Sequence, residues 1–189
     1  MRTLRTNNLY SSIVLVFLIL WGTASFFVFS TFLNLGWVLL AVGLIAAYCA
    51  VTEQAGYFVL ILITFYNSYF LYGLQSATEL PLWLLLLILA SVLGFTFFLL
   101  KQQFVSDNEN SFLVLIFFLI SMMEIYLSLS YWLINPLTKS LIMGVFSYLF
   151  AGYLANTHSD GVVDKKFYRY IYLAIIVLAA LFFTVSWGQ

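Results

Sequence analysis

Residues 36–52 read GWVLLAVGLIAAYCAVT. The stretch carries no charged side chain, and whether it crosses a bilayer decides the architecture of the whole chain. At about 1.5 Å of rise per residue a helix here reaches roughly 25 Å, short of the ~30 Å hydrocarbon core. Length alone leaves it between a short span and an interfacial segment. The rest of the chain supplies what length does not.

The 189 residues are 65% hydrophobic and only 7% charged, with a mean hydropathy of +1.08. A soluble domain carries roughly 25% charged residues. So few charges cannot cover a water-facing surface, and the solvent for most of the chain is lipid. A transmembrane barrel requires strands of alternating polarity. The apolar runs here are continuous and helix-length, which excludes it.

Seven segments qualify as spans: 9–33, 36–52, 55–75, 79–100, 111–134, 136–155 and 167–187. Short cytoplasmic loops are enriched in Lys and Arg. With all seven crossing and the N-terminus inside, Arg2, Arg5, Lys101, Lys165, Lys166 and Arg169 face the cytoplasm and only Lys139 faces out. If 36–52 fails to cross, Lys101, Lys165, Lys166 and Arg169 move outside and the bias disappears. Charge therefore favours a spanning 36–52. The expected fold is all-α: a polytopic transmembrane helical bundle of seven spans, N-in and C-out, forming one domain over 1–189 with no soluble domain. The expected location is the plasma or inner membrane. The basic start and apolar run of residues 1–27 resemble a signal peptide, but the run exceeds a 7–15-residue signal core and is read as a retained first helix.

Helix-start chemistry agrees with these bounds. Asn135-Pro136 sets a cap residue before a proline at the first helical position. Thr78-Glu79-Leu80-Pro81 is expected to start the fourth span, and Asp164 to cap the seventh. Segments 101–110 and 156–166 are the sizeable polar loops. His158, Asp160 and Asp164 in the second read as a solvated turn around Ser-Asp-Gly rather than as a metal site.

Association between helices in lipid depends on small residues that let backbones approach. Ser140, Gly144, Ser147, Ala151 and Ala155 recur at helical spacing in the sixth span, and Gly36, Gly43, Ala47 and Ala50 do so in the second. Both helices are expected inside the bundle. Trp37, Tyr10, Trp132, Tyr168, Tyr170 and Trp187 fall near span ends, as interfacial aromatics do. Tyr48, Tyr66, Tyr69, Tyr126 and Tyr148 lie deeper and need hydroxyl partners.

One carboxylate, Glu124, lies mid-span. Ser121, Glu124, Ser128, Tyr131 and Asn135 follow at steps of 3, 4, 3 and 4, a single stripe of a helix. Facing lipid, the carboxylate costs at least about 2.5–3.5 kcal/mol, so the stripe is expected to face the bundle or a cavity. No Lys, Arg or His is expected at its depth. Asn67, on the polar face of the third span with Thr64 and Ser68, and the deep tyrosines are the expected partners. Three roles fit Glu124: interhelical glue, a proton or cation site of a small transporter or channel, and a contact with a basic residue of another membrane protein.

The seventh span holds no lysine for a retinal Schiff base, and the N-in, C-out orientation opposes the usual receptor arrangement. One His and one Cys are too few for zinc, haem or disulfide chemistry. There is no HExxH, no Gly-rich phosphate loop and no Ser with a usable His. A net charge of +0 gives no bulk attraction to nucleic acid. The expectation is a non-enzymatic membrane protein without cofactors. Its expected partners are the bilayer and either another membrane protein or further copies of itself. A small transporter or channel with Glu124 as its site is the alternative.

Overall fold

The computed structural model describes residues 2–29, 33–52, 56–104, 111–156 and 164–184. These residues form seven α-helices: α1 (Arg2–Phe29), α2 (Leu33–Val51), α3 (Gly56–Ala77), α4 (Leu82–Phe104), α5 (Ser111–Ser130), α6 (Pro136–Asn156) and α7 (Phe167–Thr184). The protein is thus an all-α helical membrane bundle. Five stretches are long and apolar enough to cross a membrane: Tyr10–Phe29, Gly56–Ala77, Leu82–Leu100, Phe112–Ser130 and Pro136–Asn156. Gly36–Val51 and Phe167–Phe183 are apolar but shorter.

Local chemistry explains three of the helix ends. Asn135 Oδ1 accepts from Thr138 N at 2.8 Å, so Asn135 caps α6 ahead of Pro136. Asp164 Oδ1 accepts from Lys166 N at 3.2 Å at the entry to α7. The start of α4 departs from expectation. Thr78 donates backwards to Leu74 O at 2.7 Å and so finishes α3, and α4 begins only at Leu82, after Pro81.

α3 is the centre of the bundle. It packs on α1, α2, α4 and α6, most extensively on α6. Its polar groups Thr64, Asn67 and Ser68 are all buried. Each satisfies a hydrogen atom within its own helix, on Leu60 O, Ile63 O and Thr64 O respectively. α6 meets α3 through the small face read in the sequence. Ser140, Gly144, Ser147 and Ala151 are buried, and Ser147 Oγ lies 3.2 Å from Thr64 Oγ1. Since the Thr64 proton goes to Leu60 O, Ser147 is the donor across this interface. Ala155, expected on the same face, is exposed.

α1, α2 and α3 form one group. A methyl on Gly43 would strike the Thr23 methyl, and Gly22 lies against Cβ of Tyr66. Tyr69 stacks on Phe26 with ring centroids 3.8 Å apart, and Tyr66 donates to Leu39 O at 2.6 Å. Ala46, Ala47 and Ala50 face inward, but Trp37, Leu44, Ile45 and Tyr48 are exposed. α2 is therefore a peripheral helix with one packed face, not an interior one.

α3, α4, α5 and α6 form a second group in which each helix touches the next and α6 returns to α3. Its interior is filled. Phe118 stacks on Phe150 at 4.4 Å with Phe97 beside them. Tyr72 stacks on Tyr126 at 4.3 Å and donates to Tyr126 O at 3.2 Å. α7 leans on α6, with Tyr170 lying on Gly152 and beside Tyr148.

Candidate functional site

The geometry around Glu124 follows from which stripe of α5 enters the core. Phe118, Met122, Tyr126 and Leu129, at steps of 4, 4 and 3, are the buried set. They mate with the aromatic interior of the four-helix group. This places Ser121, Glu124 and Ser128 on the flank of α5 rather than at its centre. Glu124 and Ser128 are exposed on the chain, Ser121 is half-buried, and Tyr131 at the end of the stripe is 75% exposed. Ser128 donates to Glu124 O at 2.8 Å, so its proton serves the backbone and not the carboxylate.

The flank faces a gap between α5 and α7, with α6 behind it. Glu124, Ser128 and Trp132 of α5 and the turn after it, Ile142 and Phe146 of α6, and Leu178, Leu181 and Phe182 of α7 surround a cavity of about 490 Å³. A second cavity, about 620 Å³, continues it toward the other end of α5. Ser121, Phe117, Tyr153 and Phe167 line that part, and Ile125 and Phe146 line both. Together they form one apolar groove with a single carboxylate near its middle. No described residue forms a hydrogen bond or ion pair with that carboxylate.

Asn67 is not its partner. It is 3% exposed, donates to Ile63 O at 2.9 Å, and lines a cavity of about 200 Å³ beside Phe17, Trp21 and Ile88. That cavity belongs to the α1–α3–α4 side of the molecule. The deep tyrosines are also committed elsewhere. Tyr66 donates to Leu39 O, and Tyr126 points its hydroxyl into the core, where it meets no described partner. Of the five groups read as one polar site, the structure brings Glu124 and Ser128 to one cavity, with Ser121 along the same groove and Tyr131 beyond its end.

One buried charged group escaped the sequence reading. Lys139, read there only as a charge on the outer side, sits in the first turn of α6 and is only 9% exposed. Its Nζ donates to Ser130 O at 3.4 Å and lies 5.3 Å from the centre of the Tyr72 ring. It lines a third cavity, about 530 Å³, with Tyr72, Gln75, Ser76, Ser130 and Asn135. Trp132 and Ile134 border this cavity and the Glu124 groove alike. The available signal was electrostatic: a lysine in a helix's first turn opposes the dipole and calls for an anion.

Among the described residues no three His, Cys, Asp or Glu side chains come together as metal ligands would. His158 and Asp160 lie outside the described residues. Comparison with protein-family models, with curated proteins and with solved structures finds no match to this chain.

Proposed function

We propose that the protein is a non-enzymatic partner subunit of a membrane assembly, and that the α5–α6–α7 groove receives a transmembrane helix of another protein. That helix would carry a Lys or Arg opposite Glu124. One observation carries the reading: an exposed carboxylate with no described partner stands in an otherwise apolar groove. Left facing lipid it costs at least about 2.5–3.5 kcal/mol. A basic residue from a partner helix would offset that cost, while the apolar walls supply packing. The interior of the four-helix group supports the same reading, because among the described residues the core face of α5 meets stacked aromatic rings.

The proposed topology has seven spans, N-in and C-out, in the plasma or inner membrane, with α2 and α7 as short spans. Seclusion of Lys139 supports it. The one basic residue placed outside is folded into a cavity rather than left free in a loop.

A photoreactive residue at Ser128 in native membranes tests the role. The expected product is a crosslink to one membrane protein, strongly reduced by Glu124→Gln and restored when Glu124→Lys is combined with an acidic residue at the partner's crosslinked position. Crosslinks to lipid alone would overturn the proposal. A second reading, a small cation or proton transporter, draws on the cavity that reaches Glu124. It predicts Glu124-dependent flux in proteoliposomes of the purified chain, which the partner reading does not.

A further inference from the structure

We propose that the cavity formed by the end of α3, the α5–α6 turn and the start of α6 binds a phosphate group through Lys139, and that the group belongs to a phospholipid. The inference is independent of the role of Glu124.

Lys139 is nine-tenths buried, yet among the described residues no carboxylate meets it. Its described polar contacts are the Ser130 carbonyl at 3.4 Å and the face of Tyr72 at 5.3 Å. Both attract a cation, and neither carries a full negative charge. The ammonium has three hydrogens, and the Ser130 carbonyl takes one. The start of α6 adds positive potential to the same place, since Lys139 lies in its first turn and no acidic residue does. A buried cation and the positive end of a helix beside one cavity define a demand for an anion.

The cavity fits that demand. Gln75 and Asn135 line it with amide groups. Asn135 Oδ1 is used by the α6 cap, so its NH2 remains as donor. At about 530 Å³, the cavity lies within the roughly 300–1,000 Å³ typical of small-molecule sites. Its position selects a lipid as the source. It sits at a helix end, where a bilayer presents its headgroups. Tyr131 and Leu133, 75% and 82% exposed, carry its rim onto the outer surface of the bundle, where acyl chains would lie.

The test uses the full chain in detergent micelles doped with phosphatidylglycerol or with diacylglycerol of the same chains, with retained lipid read by native mass spectrometry. Phosphatidylglycerol should be retained and diacylglycerol lost. Lys139→Met should lower phosphatidylglycerol retention about tenfold or more, as loss of a charge-assisted hydrogen bond implies, and Lys139→Arg should keep most of it. Should Lys139→Met fail to fold, reaction of Lys139 with an amine reagent in the wild-type chain decides: phosphatidylglycerol should protect it and diacylglycerol should not. Displacement of the lipid by inorganic phosphate would support the phosphate site and move its source to solution. Equal retention of both lipids, or full retention by a folded Lys139→Met, would overturn the proposal.

Discussion

A methyl group built on Gly22 would overlap Cβ of Tyr66, whereas one built on Gly144 would rest 3.6 Å from Cβ of Phe65. The first is a collision with the stem of a fixed side chain, and the second is ordinary contact. Gly22→Ala should therefore destabilise by about 1–3 kcal/mol, the usual cost of overpacking. Gly144→Ala should be neutral or stabilising, since alanine gains up to about 1 kcal/mol in helix propensity. Gly144→Leu should still damage assembly more than Leu141→Ala, because Gly144 faces α3 directly. Thermal unfolding in detergent checks all of these. The stacked tyrosines make a second pair. Tyr126 buries a hydroxyl that meets no described partner, while Tyr72 donates to Tyr126 O. Tyr126→Phe should leave stability unchanged or raise it, and Tyr72→Phe should cost about 0.6 kcal/mol, the average for an interhelical hydrogen bond. Glu124→Gln and Glu124→Leu should both unfold at or above the wild-type temperature, because no described side chain depends on the carboxylate. A large loss in either would show that Glu124 holds helices together within the chain.

At the scale of the helix, the caps of α6 and α7 were legible, while the start of α4 and the orientation of α5 were not. Asn135-Pro136 and Asp164 start α6 and α7 where the sequence placed them, because a cap is a local bond between neighbours in the chain. The small face of α6 was also legible, since close approach requires small residues at regular spacing. α5 shows what a membrane removes. In water its apolar side would turn inward and its polar stripe outward. In lipid both sides of the bundle are apolar, so polarity alone does not say which stripe is interior. Size and shape decide instead, and the aromatic and methionine stripe at Phe118, Met122 and Tyr126 fills the space beside Tyr72 and Phe150. Asn67 was placed correctly on an inward face but assigned to the wrong neighbour, because nothing in one chain's sequence states which inward faces meet. The element-scale prediction concerns α5. Cysteines introduced at Ser121 and Ser128 should react with lipid-soluble maleimide in membranes lacking a partner, while one at Met122 should not. Equal reactivity at all three would mean that the flank and core faces of α5 are misassigned.

The whole molecule tests the orientation of the chain. With Cys49 replaced by serine, single cysteines at positions 105 and 160 should label only from the cytoplasmic side, and a tag after Gln189 should be reached only from outside. Labelling of position 105 from outside would show that α2 does not cross, and would also reverse the side on which Lys139 lies. α2 and α7 are shorter than the five clear spans, so the proposed seven-span topology requires that the bilayer thin or the flanking aromatics anchor them. Trp37 at one and Tyr168 at the other are both exposed, as such anchors need to be.

Because α3 holds α1, α2 and α4 and also grips α6, the cohesion of the molecule does not run along its backbone. The widest seam, α3 against α6, joins helices that belong to opposite halves of the chain. The peptide linkage between α4 and α5 is then dispensable as a tether: two polypeptides, 1–106 and 107–189, made separately in the same membrane, should find each other through that seam and co-purify as one particle. A serine at Gly144 should leave their reunion intact, and a tryptophan there should keep the halves apart.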